Sequence, residues 1–420
     1  MKPHFIRIFS LFILTVLSFN TSAQKTLEYS NKTYEPFIKT VKLYPNNNLP
    51  DREILAPVVS LNGNSGLILE FDALLEDYLF LQAKIIHCNA DWTPSRLSDI
   101  DILSEFNSFD LNNFEYSINT KTLFVHYIFE VPPTRVSGNY IIMVYQNSDV
   151  KDVVLSRRFM VYENALNIST QIGISSGVSM RNFNQQIDFS FNYGRVNVSN
   201  PLLNFHVVIR QNQRWDNAII GLQPTKVRRD QKYIEYHQFT MENNFKGGNE
   251  FRYLDLSTYS FRGQNVAFIN DKSNPITAIM NIDKNRSNQP YAQYRDLNGQ
   301  YIIDTQEPLA DKLEADYIDV TFQLSSNQKL PDNVFVIGAF NDWQKLPSNK
   351  LSYDKSRKLY HKNISLKQGY YGYMYYLGNN PYYFDGSYYQ TENEYDILIY
   401  YRESGYFTDR LVGYKAFNSH

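Results

Sequence analysis

The chain has 420 residues, a formal net charge of −2 and 20% charged residues. It offers no basic face for nucleic acid and is long enough for two or three cored domains. Its outlying feature is an aromatic content of 15%, with 34 Tyr and 28 Phe against 3 Trp; rings that pack while their hydroxyls reach water suit half-buried strands, so an all-β fold is expected.

The opening segment, MKPHFIRIFSLFILTVLSFNTSAQ, has the order of an export signal. Lys2 and Arg7 flank the start of an apolar run from Ile8 to Phe19, and Thr21-Ser22-Ala23 provides a small-residue cleavage site before Gln24. The run is shorter than the roughly 20 residues of a membrane span. Residues 1–23 are therefore expected to be a cleaved signal peptide, and loss of Lys2 and Arg7 takes the net charge from −2 to −4. No cysteine follows the cleavage site, which argues against a lipid anchor. The single cysteine, Cys88, excludes an intramolecular disulfide and reads as a small buried hydrophobe.

Residues 24–163 show short apolar runs broken by turn residues, among them "GLILEFDAL", "LFVHYIFEVPP" and "GNYIIMVYQ". Their period-two alternation predicts a β-sandwich, with a short helical insertion around "SRLSDIDILSEF". Trp92 falls in the turn-rich "CNADWTPS". Residues 164–310 again read as strands and form a middle β domain. In it "GISSG" (173–177) matches G-x-S-x-G, but loop and strand follow where a nucleophile elbow needs a helix. "RQNQRWDNAI" places Arg214 and Trp215 among polar residues. "DLNGQ" puts Asn298-Gly299 between aromatic flanks, a hairpin signal that explains its likeness to the opening of a calcium loop without an ion. Residues 311–420 form a third β unit crowded with Tyr. The fold expected is three closely packed β-sandwiches of immunoglobulin-like or early-set type, with few short helices.

Chemistry-bearing patterns are sparse. His87, His126, His206, His237, His361 and His420 show no metal-ligand spacing, and carboxylate pairs such as Glu70/Asp72 and Glu76/Asp77 carry no cleft geometry in sequence. No cofactor, metal or catalytic residue is expected. Trp92, Arg214 and Trp215 are candidate partner contacts, being residue types that anchor interfaces; the alternative is that each Trp plugs the end of a sandwich.

Two resemblances add to this reading. "VFVIGAFNDWQKLP" (334–347), followed by "YGYMYY" and "YYFDGSYY", resembles the glycogen-binding module of the early-set immunoglobulin-like class. The resemblance implies a sugar-stacking role for Trp343, with a second aromatic near Tyr382 or Tyr383. The strand lysine of that family is replaced by about Met374, so the fold carries over and the ligand does not. Trp343 then joins the candidate partner contacts, and a periplasmic α-glucan-binding protein using Trp343, Tyr382 and Tyr383 is the alternative function. The second resemblance spans nearly the whole mature chain: "IKTVKLYP", "LEFDALLEDY", "IIHCNADWTPSRLSD", "SGNYIIMVY", "SRRFMVYE", "QIDFSF", "NPLLNFHVVIRQNQRWDNAI", "GGNEFRYLDL", "DLNGQY", "EADYIDVTF", "LKQGYYGYMYY", "TENEYDILIYYR" and "DRLVGY". In this order they resemble the plug family of the Bacteroidetes type IX secretion system. That resemblance implies a non-enzymatic periplasmic protein, one copy per complex and without a membrane span. It would cap the periplasmic end of the giant outer-membrane β-barrel translocon while the channel is idle.

Overall fold

The structure, a computed structural model, describes residues 25–306 and 311–419. The expected signal peptide, 1–23, and His420 lie outside the described residues. The described chain is all-β: six sheets pair into three sandwiches, and its two α-helices, Asp99–Ile102 and Pro201–Asn204, are one turn each. The first is the helix expected near "SRLSDIDILSEF". Its capping box is closed by Asp101 Oδ2, which accepts from the Ser98 backbone N–H at 2.9 Å and the Ser98 hydroxyl at 2.6 Å.

The first sandwich packs a sheet ordered Lys32–Thr33, Val153–Tyr162, Gly138–Gln146, Leu81–Cys88, Phe109–Asp110 against one ordered Ile38–Pro45, Leu67–Ala73, Val125–Val131, Phe114–Tyr116. Leu81, Ala83 and Ile85 point inward while Gln82, Lys84 and Ile86 are half-buried, the alternation that a pleated strand imposes. Gly138–Gln146 breaks that alternation, being buried at all but its last residue. Its inner residues, Tyr140, Ile142 and Val144, join the core of this sandwich. Its outer residues, Ile141, Met143 and Tyr145, join an apolar cluster with Val208, Leu398, Tyr400 and Leu411 of the second. A strand covered on both faces reads as a continuous apolar run for this reason.

The strand pairing groups the rest of the chain differently from the expected spans 164–310 and 311–420. The second sandwich contains Asn167–Ile174, Asn184–Asn192 and Tyr233–Tyr236 in one sheet, and Phe205–Gln211, Glu394–Tyr401 and Arg410–Asn418 in the other. Phe205–Gln211 runs antiparallel to Glu394–Tyr401 in unbroken register from Phe205↔Tyr401 to Gln211↔Tyr395. Ile209, Ile397 and Ile399 share one core. The third sandwich, from Arg252–Asp255 to Gly369–Leu377, is therefore inserted into the second, which the last two strands complete. The turn at Asn298-Gly299 forms with both residues at positive φ, 49° and 75°, and Gln300 N–H donates to Leu297 O at 2.8 Å. Only its C-terminal arm, Tyr301–Ile303, is a strand, so the expected hairpin is a turn onto the Gly369–Leu377 strand instead.

Candidate functional site: the junction of the three sandwiches

The sandwiches meet through buried polar groups. Asp72, fully buried in the first, takes the Lys367 ammonium of the third at 2.7 Å and the Tyr317 hydroxyl at 2.7 Å, while His126 Nδ1 stands 2.6 Å from its other oxygen. Thr40 Oγ1 lies 2.6 Å from the same Tyr317 hydroxyl, and the Lys367 ammonium sits 3.9 Å from the centre of the Phe124 ring. Burial penalises the Asp72 carboxylate, but the Lys367 charge and the His126 hydrogen bond outweigh that penalty and hold its pKa below the usual range. Nearby, the buried Lys42 donates to Tyr301 O at 2.6 Å and packs 3.8 Å from the centre of the Tyr301 ring. Burial lowers its pKa to about 8. Lys121 N–H donates to Asp316 Oδ2 at 2.6 Å, a further link between these two sandwiches. The sequence names Asp72 only as half of a carboxylate pair. Its one local signal is a second acidic residue, beside Glu70, in the mostly apolar strand "LILEFDA".

The three tryptophans converge on the same junction. Trp92, 6% exposed, meets Trp215 edge to face at 5.1 Å and 89°. Arg158 lies 4.2 Å over the Trp92 ring, and Arg210, itself paired with Asp396, lies 4.7 Å over Trp215. Trp92 holds φ +67° in a turn closed by Asp91 Oδ1, which accepts from Thr93 N–H at 3.0 Å. Arg214, also buried, donates to Asp216 at 3.0 and 2.6 Å and covers the Trp343 ring at 4.4 Å. A cleft of about 280 Å³ remains between the sandwiches, lined by Arg157, Arg158, Trp215 and Trp343 among others.

This placement moves Trp92 and Arg214, expected as partner contacts, inside the junction. Trp92 and Arg214 are closed off from any outside surface, and Trp215 and Trp343 are half-buried against residues of neighbouring sandwiches. The alternative reading of Trp92 and Trp215 as plugs is nearer, although what they seal is the seam between sandwiches.

The glycan contacts are not assembled either. Trp343 meets Phe251 edge to face at 5.6 Å, and a methyl group at Gly299 would lie 2.2 Å from its Cη2. Arg214 Nη1 also reaches Met374 Sδ at 3.8 Å. The position where the glycan modules carry a strand lysine is thus roofed by a guanidinium of the second sandwich. Tyr382 is half-buried, with Lys246 5.0 Å from its ring centre, and Tyr383 is 37% exposed beside Phe384. A stacking platform needs an open ring face, and the Arg214 guanidinium already occupies a face of Trp343 at 4.4 Å.

Elsewhere "GISSG" ends the strand Asn167–Ile174, and a single 3-10 turn and another strand follow it. Ser175 is buried and accepts from Gly177 N–H at 3.1 Å. Burial pushes the Cys88 thiol up to about 12, which makes it inert. Among the described residues no His, Cys, Asp and Glu gather in a group that could hold a metal ion, and no helix is long and apolar enough to cross a membrane. Exposed large apolar side chains collect at the two ends of the second sandwich: Ile174, Val178, Phe183 and Phe239 at one, Leu202, Leu203, Tyr406 and Phe407 at the other.

Among solved structures, the chain is similar to the crystal structure of a hypothetical protein from Parabacteroides merdae ATCC 43184, determined at 2.30 Å resolution. The TM-score is 0.87 at 28% identity, over 94% of this chain and 100% of that one. No curated protein matches the chain. Residues 38–163, the strands of the first sandwich that carry Asp72, His126 and Trp92, match the family model described as type 9 secretion system plug protein 1st domain. Over those residues the chain is similar to the first domain of the type 9 secretion system plug family.

Proposed function

We propose that the protein is a non-enzymatic plug that caps the periplasmic end of the outer-membrane translocon barrel while the channel is idle, and so prevents leakage. The observation that carries this reading is the match of residues 38–163 to the plug family's first domain. The architecture supports it. A stopper has to keep its shape, and the Asp72–Lys367 pair together with the stacked Arg and Trp residues of the junction joins three sandwiches into one body. The reading places the protein in the periplasm at the inner face of the outer membrane, after export and removal of residues 1–23. Docking that must be reversible favours a polar, wet contact.

The test is affinity isolation of a tagged copy from detergent-solubilised outer membranes. The barrel should co-purify, most abundantly when secreted cargo is depleted. A strain lacking the protein should admit hydrophilic dyes excluded by the parent strain. Absence of the barrel from every eluate, including those from cargo-depleted cells, would sink the proposal.

A further inference from the structure

One end of the second sandwich combines exposed apolar prongs with an excess of cations. Leu203 is 70% exposed and Leu202 49%, both on the one-turn helix Pro201–Asn204; Tyr406 is 64% and Phe407 61% exposed, on the loop between the last two strands. These two segments are held side by side. Arg402 N–H donates to Asn204 O at 2.8 Å, Asn204 Nδ2 donates to Arg402 O at 2.7 Å, and the Ser199 and Ser404 hydroxyls are 3.0 Å apart. The turn 228–232 joins the same end, because Tyr193 N–H donates to Lys232 O at 2.9 Å and the Tyr401 hydroxyl to Asn197 O at 2.8 Å. Below them Tyr193 and Tyr401 both pack on Phe205, at 5.5 and 5.6 Å.

The charge at this end runs against that of the chain. Segments 193–204, 228–232 and 402–409 contain the cations Arg195, Arg228, Arg229, Lys232 and Arg402 and the anions Asp230, Glu403 and Asp409, a balance of +2 in a chain of net −2. Arg402 and Asp409 neutralise each other at 2.7 Å, which leaves Arg195, Arg228, Arg229 and Lys232 as the outward cations. Leu, Phe and Tyr on preordered loop tips beside Arg and Lys form the pattern of interfacial binding: the apolar tips enter the headgroup boundary and the cations meet anionic headgroups.

We infer that this end of the second sandwich docks on an anionic phospholipid surface. The occupant follows from charge complementarity together with the apolar prongs: a soluble acidic partner would answer the cations and leave four large apolar side chains in water. The inference does not depend on the capping role, since its test contains no barrel.

The test is co-sedimentation of protein purified from its native cells with vesicles of pure phosphatidylcholine or of phosphatidylcholine containing phosphatidylglycerol. Sedimentation is expected with the anionic vesicles only, and is released by high salt. Arg228→Gln with Arg229→Gln should weaken it about 30-fold, at about 1 kcal/mol for each cation. Leu203→Ser with Phe407→Ser should weaken it at least about tenfold with the charge intact. All four positions are exposed or half-buried, and unchanged circular dichroism will show that the variants fold. The inference is overturned by three results: no sedimentation with anionic vesicles, equal sedimentation with neutral ones, or variants that both bind like the parent.

Discussion

The Lys367 ammonium of the third sandwich rests 2.7 Å from the Asp72 carboxylate of the first, with both side chains at most 2% exposed. Two charges withdrawn from water in this way contribute little net stability as a pair, but either one alone is costly. Asp72→Asn should therefore lower the unfolding free energy by about 3–5 kcal/mol, measured by denaturant titration. Asp72→Asn combined with Lys367→Met should recover most of that loss. If the double variant is as unstable as the single one, the cost comes from the hydrogen bonds of Tyr317 and His126 to Asp72 and not from the stranded charge.

Lys42 makes junction stability dependent on pH. Its folded pKa of about 8 lies below the ordinary value of about 10.4, so between these values the unfolded chain binds more protons. The unfolding free energy must then rise with pH across that window, and the full cost of burying the charge is felt below it. The stability difference between the parent and Lys42→Met should shift in favour of the parent by about 2 kcal/mol between pH 7.5 and 9.5. Taking a difference removes the tyrosines that titrate above pH 9 in both proteins. A pH-independent difference would show that the lysine stays charged throughout.

Trp343 is wedged between Arg214 of the second sandwich and Phe251. Trp343→Ala should be destabilising, by less than the about 3–5 kcal/mol of a fully buried large side chain, because Trp343 is half-buried. Gly299→Ala should be destabilising too, since it puts a methyl group into the Trp343 ring at a residue with φ +75°. Calorimetry of the parent with soluble α-glucans should give no saturable heat. Saturable binding that is lost in a folded Trp343 variant would restore the glycan reading.

Cys88 should resist thiol reagents in the native protein, because burial holds the thiol near 12 and the side chain is fully buried. It should react stoichiometrically in denaturant. Rapid native modification at neutral pH would show that the first sandwich opens at the Leu81–Cys88 strand.

Some of this organisation is determined by local sequence. The alternation of "LQAKIIHC" and its neighbours sets period-two strands, Ser98 and Asp101 cap the one-turn helix where the sequence places it, and Asn298-Gly299 makes the turn. The lone cysteine and the lack of ligand spacing follow from composition. These signals act over a few residues, where the side chain itself selects the backbone conformation.

Other features were decided by the tertiary structure alone. "EYDILIYY" reads as a buried strand but does not say which sheet it joins. Only folding pairs Arg210 with Asp396, 186 positions away, and so sends the last two strands back into the second sandwich. The same holds for the tryptophans. Trp92, Trp215 and Trp343 in polar, turn-rich segments look like surface anchors, and each does lie at the edge of its own sandwich. It is the neighbouring sandwich that covers them, because apolar rings and guanidinium groups at three adjoining edges lose less by meeting one another than by staying in water.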